Sequence, residues 1–175
     1  MDCGSLAIRF CPFTVLKPMQ TGFPLSASLP TVAAASSPDF VITPEPLSLE
    51  TVYGLADDPA NGAVVVMSGM VRNNTDGRSV VCLEYQAYEP MALRVFEQIA
   101  ADIQQRWTEV THVVIHHRVG RLTVGEISVL IAVGCPHRAE AFAACQFAID
   151  ALKENAPIWK KEWYNDHEFS WVRCC

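Results

Sequence analysis

Lysine is scarce in this chain: there are four in 175 residues, and three of them, Lys153, Lys160 and Lys161, fall within nine residues. The remaining cations are arginines, so lysine is not the general solubilising residue here. Positive charge is also short. A formal net charge of −6 and a pI near 5.3 disfavour a nucleic-acid partner. No apolar run reaches the length needed to span a bilayer. There is no C-x-x-C pair, no Cys/His set with zinc-ligand spacing, no G-x-G-x-x-G, no P-loop and no internal repeat. Those gaps exclude a zinc-finger module, a dinucleotide fold, a nucleotide-triphosphate site and a solenoid. No bound metal or cofactor is expected.

Cysteine, by contrast, is plentiful: Cys3, Cys11, Cys82, Cys135, Cys145, Cys174 and Cys175. The number is odd and no secretory signal is read before them. Reduced, mostly buried thiols in a cytoplasmic protein are the expectation. His112 and His116 are four apart in a β-type run, which would separate them by about 13 Å along a strand and argues against a shared metal.

The first 46 residues hold seven of the eleven prolines and, up to Phe40, only four charged side chains. Such a segment has little to bury. Residues 1–45 are therefore read as a flexible extension, with a weak likeness to an organelle-targeting leader as the alternative. Residues 46–175 are read as a single folded domain. Ser48 caps a short helix through Ala56 that would bury Leu49, Val52, Tyr53 and Leu55. Ala63 to Ser68 is a continuous apolar strand. Asn73 to Gly77 is turn chemistry. Ser79 to Ala87 alternates, with Val81, Leu83 and Tyr85 on one face. A helix from Glu89 carries Leu93, Phe96, Ile99 and Ile103 at helical spacing. Strands follow at Val113–Val119 and Ile127–Val133. Cys135-Pro136 opens a second long helix with Phe142, Cys145, Ile149 and Leu152 as its buried stripe. Pro157 stops it, Ile158 and Trp159 would anchor the next segment in the core, and two closing strands flank Asn165-Asp166. Hairpin pairs separated by helices predict an α+β fold with a mainly antiparallel sheet.

Four places can carry chemistry. Gly134-Cys135-Pro136-His137-Arg138 lies where a strand gives way to a helix. Free amides and the positive dipole end there suit an anion, and Arg138 adds a two-pronged donor; the alternative is an ordinary solvated junction. Cys135, two residues from His137, is either a nucleophile or a packed thiol. Arg72 ends the first core strand as a binding arginine or a surface one. Lys153 and Lys160 flank the Pro157 break. Lysine, unlike arginine, can lose its proton when partly buried and serve as base or nucleophile, and two nearby amines lower one another's pKa. The alternative is a solvated helix end. Geometry adds a constraint. His137 and Lys153, sixteen residues apart on one helix, would be about 24 Å apart and on nearly opposite faces. If Arg138 and Lys153 serve one ligand, they come from two copies of the chain.

Ser68-Gly-Met-Val-Arg72-Asn, Leu83-Glu-Tyr-Gln-Ala-Tyr88-Glu-Pro-Met91, His117-Arg-Val-Gly120, Val124-Gly-Glu126, Pro136-His-Arg-Ala-Glu-Ala-Phe142 and Leu152-Lys153, then Ala156-Pro-Ile-Trp-Lys-Lys-Glu162, occur in this order. Across roughly residues 46–172 the set closely resembles the catalytic (large) subunit family of molybdopterin synthase. The resemblance implies an α/β-hammerhead-like fold and a homodimer at the core of a heterotetramer. A small ubiquitin-like sulfur carrier, ending in a Gly-Gly thiocarboxylate, would sit at each end. The implied reaction is sulfur transfer to cyclic pyranopterin monophosphate, giving molybdopterin. Lys153 and Lys160 match the family's active-site lysines. Met70, Val71, Arg72, His137, Arg138, Lys161 and Glu162 match substrate-pocket positions, with His137 and Arg138 given by the partner subunit. Members often carry Ser at Gly134-Cys135, which implies that Cys135 is not required. Family tails often add a basic residue after the final Trp-Val, where this chain has Arg173. Two rival readings are a non-catalytic module holding a phosphorylated ligand or partner tail, and a Cys135/His137 thiol enzyme.

Overall fold

The computed structural model describes residues 38–166 and 168–173. The reading of residues 1–37 lies outside them. The elements run β1 (Phe40–Thr43), α1 (Leu49–Ala56), β2 (Ala63–Met70), β3 (Asn74–Thr75), β4 (Arg78–Ala87), α2 (Glu89–Arg106), β5 (His112–Arg118), β6 (Gly120–Thr123), β7 (Ile127–Cys135), α3 (Arg138–Asn155), β8 (Ile158–Tyr164) and β9 (Phe169–Arg173). The α+β class with mainly antiparallel pairing holds. Three short strands, β1, β3 and β6, join those expected from the sequence. β1 falls inside the segment read as an extension and pairs parallel with β5, Phe40 opposite Ile115.

Two sheets form. One has the order β1-β5-β7-β2; the other has β3-β4-β8-β9, with β6 also paired to β4. In the first sheet both faces are covered. Val113, Ile115, Val129, Ile131 and Val133 belong to the main core with α2 and α3. Their alternates Val114, Leu130 and Ala132 pack with Val52 and Ala56 of α1. Burial on both faces explains why these strands read as unbroken apolar runs despite antiparallel neighbours. Each fully buried Val, Leu or Ile contributes about 1.5–3 kcal/mol.

The helices start and stop where local chemistry dictates. Ser48 accepts a hydrogen bond from Thr51 N at 3.1 Å, capping α1. That helix buries only Val52 and Ala56; Leu49 and Tyr53 are half exposed, because one narrow stripe suffices to cover the sheet. α2 has Pro90 in its first turn and buries Ala92, Phe96, Ile99, Ala100 and Ile103. α3 begins at Arg138 rather than at Cys135-Pro136: Cys135 is the last residue of β7 and His137 the N-cap. Its buried stripe is Ala141, Ala144, Cys145, Ala148 and Leu152. Small side chains let the helix lie close to the sheet, and Phe142, one step around, is 64% exposed.

β4 departs from simple alternation. Its register against β8 shifts between Val80 and Cys82, a bulge that turns Val81 outward while Val80, Cys82, Leu83 and Tyr85 are buried. Asp76 and Gly77 both take positive φ, as a two-residue turn between β3 and β4 requires. Along β8 alternate residues Ile158, Glu162 and Tyr164 are buried. Trp159, expected to anchor the core, points the other way and is half exposed.

Candidate active site

A cleft of about 380 Å³ opens where the ends of β2 and α3 meet β8. Met67, Gly69, Met70 and Arg72 line it from the β2 side, Tyr85 from β4, His117 from β5, and Ser128 and Val129 from β7. Ile149, Leu152 and Lys153 line it from α3, and Lys160 from β8. Both lysines singled out in the sequence therefore face one space, together with Met70 and Arg72. A larger groove of about 620 Å³ between α2 and α3 presents Asp102, Asp150 and Glu154 and holds none of the candidate residues.

The wall near Arg72 depends on a glycine. β2 pairs Gly69 with Val129, then slips so that Met70 pairs with Ile127. A Cβ on Gly69 would come within 2.6 Å of Val129 Cγ1, so only glycine permits this approach. The slip turns Val71 into the core at 2% exposure and leaves Met70 and Arg72 accessible. Val71 thus backs the site rather than lining it.

Lys160 and Glu162 occupy the inward face of β8. Lys160 Nζ lies 3.4 Å from Glu162 Oε1, with side-chain exposures of 16% and 2%. The other carboxylate oxygen accepts a hydrogen bond from Tyr164 Oη at 3.2 Å. Lys161 belongs to the outward face, as strand alternation demands. Its ammonium lies 3.8 Å from the Phe169 ring centroid and 4.3 Å from that of Trp163, a cation–π stack away from the cleft. Lys161 is not brought to the pocket. His137 and Arg138 are at the opposite end of α3 from Lys153, exposed, and do not line the cleft. Across the fifteen residues from Arg138 to Lys153 the helix rises about 22 Å.

Tyr85, His117 and Ser128 are cleft residues that sequence reasoning did not nominate. Tyr85 pairs across strands with Lys160 and packs edge-on against the His117 ring, centroids 5.2 Å apart. His117 is 3% exposed, and burial lowers its pKa to about 4. Its Nδ1 is 2.9 Å from the Arg118 carbonyl, which can only accept, so Nδ1 carries the proton and Nε2 keeps a lone pair. The clue was cross-strand position, which needs the register. Glu126 of the Val124-Gly-Glu126 motif is structural. It accepts from the Thr123 amide and binds Arg118 Nη1 at 2.7 Å, bonds that in that order lower its carboxyl pKa to about 2. Cys135 is fully buried in the main core, which fits the packed-thiol alternative. Burial raises the Cys145 thiol to about 11. Among the described residues no three His, Cys, Asp or Glu side chains group as metal ligands.

Comparison with known proteins decides the lineage. A protein-family model described as "MoaE protein" matches residues 42–155. The chain belongs to the MoaE family. The matched span includes Met70, Arg72, His137, Arg138 and Lys153 and ends before Lys160. Over 133 residues the chain is 72% identical to the molybdopterin synthase catalytic subunit of Nostoc sp., covering 76% of this chain and 81% of that one. The crystal structure of molybdopterin synthase from Staphylococcus aureus superposes with a TM-score of 0.72 at 41% identity, over 75% of this chain and 94% of that one. A Helicobacter pylori structure, solved as a complex of subunits 1 and 2 of molybdopterin-converting factor, shares the MoaE fold. Its TM-score is 0.63 at 23% identity, over 77% of this chain and 90% of that one.

Proposed function

We propose that this MoaE chain is the catalytic subunit of a molybdopterin synthase. It moves sulfur from the C-terminal thiocarboxylate of a small carrier subunit onto cyclic pyranopterin monophosphate, in the cytoplasm. The names borne by its relatives support the reaction. The two-subunit complex of the Helicobacter pylori protein supports a small-subunit partner. Among the described residues no helix is long and apolar enough to cross a membrane. The observation that carries the mechanism is the convergence of Lys153, Lys160 and Arg72 on one cleft.

In this reading the carrier tail enters beside Lys160, whose ammonium binds the tail carboxylate. The thiocarboxylate sulfur attacks a pterin side-chain carbon and displaces its oxygen substituent; water then cleaves the carrier's acyl–sulfur bond, leaving the sulfur on the pterin and returning the carrier tail as a carboxylate. Lys153 acts there as acid and base or forms a transient covalent adduct. Arg72 from this protomer and Arg138 from a second one hold the phosphate, with His137 of that second protomer beside it. The length of α3 supports a homodimer in this reading: if Arg138 and Lys153 serve one ligand, a residue at the start of the helix cannot reach what is held at its end. Glu162 fixes Lys160 from behind, and Met70 shapes the mouth. Lys161 receives no step.

The test supplies cyclic pyranopterin monophosphate and thiocarboxylated carrier to the purified chain and looks for dithiolene product. Product should form with the parent chain and fail to form with Lys153→Ala or Lys160→Ala, each still binding carrier. Full turnover by either variant overturns its assigned role. Mixing Arg138→Ala with Lys153→Ala chains should restore activity in the heterodimer alone. A verified heterodimer with no recovery would refute the shared site.

A further inference from the structure

A chain of polar contacts runs from the cleft through the second sheet to the β8–β9 hairpin. Glu162 Oε1 faces Lys160 Nζ at 3.4 Å, and Glu162 Oε2 accepts from Tyr164 Oη at 3.2 Å. Tyr164 Oη is also 2.7 Å from Ser170 Oγ. Proton accounting sets the direction. The tyrosine has one hydroxyl proton, and the carboxylate takes it, so Ser170 is the donor to Tyr164. Register places the members together, because Glu162 and Ser170 are direct partners across β8 and β9. Glu162 is 1% exposed and Tyr164 7%, so water does not readily replace either bond. The far end is anchored as well. Arg78 stacks on the Tyr164 ring at 3.7 Å and binds Asp166 Oδ2 at 2.9 Å in the hairpin turn.

Nothing in the proposed chemistry uses Tyr164 or Ser170. We propose that Tyr164, with Ser170 behind it, is a positioning residue for Lys160: its hydroxyl holds the Glu162 carboxylate in place, and Glu162 holds the ammonium against the cleft wall. This deepens the reading of Lys160 as a site residue and rests on it. A buried carboxylate oxygen that loses its donor is left unsatisfied, so the side chain rotates or draws in water, and the lysine loses its fixed partner. Ser170 acts by polarising the tyrosine hydroxyl, so its removal should weaken the same contact by less.

Two measurements on the 175-residue chain test this. The first is steady-state dithiolene formation. Tyr164→Phe keeps the ring and its stack with Arg78 while deleting the hydroxyl; kcat should fall about fivefold, the worth of one hydrogen bond, with KM for the pterin unchanged. Ser170→Ala should lower kcat by a smaller factor, and Ser170→Thr, which keeps a hydroxyl, should restore it. In a Glu162→Gln background Tyr164→Phe should cost nothing further, because the two act in series. The second measurement needs no turnover. Trace acetylation with acetic anhydride, read peptide by peptide by mass spectrometry, compares Lys160 with Lys161 in the same molecule. Lys160 should react at least about twofold faster in Tyr164→Phe, as a loosened ion pair frees the amine. It should react faster again in Glu162→Gln, with no further rise in the double variant. Unchanged Lys160 labelling in a folded Tyr164→Phe chain overturns the relay, as does a kcat loss that persists in full beside Glu162→Gln. A parent chain that makes no dithiolene sinks the functional reading, and the labelling result still decides the relay.

Discussion

Replacing His117 with glutamine should flatten the acid side of the stability profile by a predictable amount. The imidazole is 3% exposed and titrates near 4, against 6.5 for an unperturbed histidine. Desolvation in the cleft floor is the main cause; the bond to the Arg118 carbonyl works in the opposite sense. Because the folded value is the lower one, the unfolded chain takes up the proton first. His117 therefore leaves stability intact above about pH 6.5 and erodes it as pH falls towards 4, below which the loss is complete. Evaluated between pH 7 and pH 5, the loss is about 2 kcal/mol, and over the whole window about 3 kcal/mol. Glu126 works in a different range. Its lowered carboxyl contributes stability above its ordinary value of 4.5 that disappears as pH falls through about 2. The assay is urea unfolding at pH 7 and pH 5 on the parent chain and on His117→Gln, which retains polar groups but does not titrate. The parent should lose about 2 kcal/mol more than the variant across that interval. Equal losses, within about 0.5 kcal/mol, would refute the claim that a neutral imidazole is held in the cleft floor.

Other substitutions follow from packing. Gly134→Ala should destabilise by about 3 kcal/mol in chemical denaturation, since its Cβ would run into the Ala56 carbonyl and the Asn61 amide, which are hydrogen-bonded to each other. Phe96→Ala, at a fully buried position of α2, should cost about 3–5 kcal/mol and lower Tm accordingly. Val81→Thr should stay within about 0.5 kcal/mol of the parent, whereas Val80→Thr, one residue earlier, should cost about 1–3 kcal/mol; reversed effects would remove the bulge from β4.

Much of this architecture was legible from residue order. The Ser48 cap, the α2 stripe, the apolar runs of β2, β5 and β7 and the Pro157 break each follow from a local rule, and each stands in the structure. What escaped depended on partners distant in the chain. The exposure of Val81 follows from a bulge against β8, and the alternation in β4 carries no sign of it. In α3 Cys145 and Leu152 are buried as expected and Ile149 packs on the core, but Phe142 is exposed: phenylalanine outranks alanine in hydrophobicity, while close approach to the sheet selected Ala141, Ala144 and Ala148. β1 was hidden in a proline-rich stretch because four residues with two prolines close by look like linker until β5 offers its edge. The lysines were visible as candidates from their clustering around Pro157, and Arg72 from its place at the end of a core strand. Tyr85 and His117 were not, since their place in the cleft is set by which strand lies beside which.

Two adjacent lysines on β8 lead separate lives. One amine borders the cavity, tethered to a carboxylate; its neighbour is capped by aromatic rings on the reverse side of the same ribbon. Deleting a single residue ahead of them would bring the second amine to the cavity and turn the first to the reverse side, since each step along a strand inverts the side presented. The chain would keep both ammonium groups and every ring, yet the amine arriving at the cavity would find a tryptophan where its carboxylate had been.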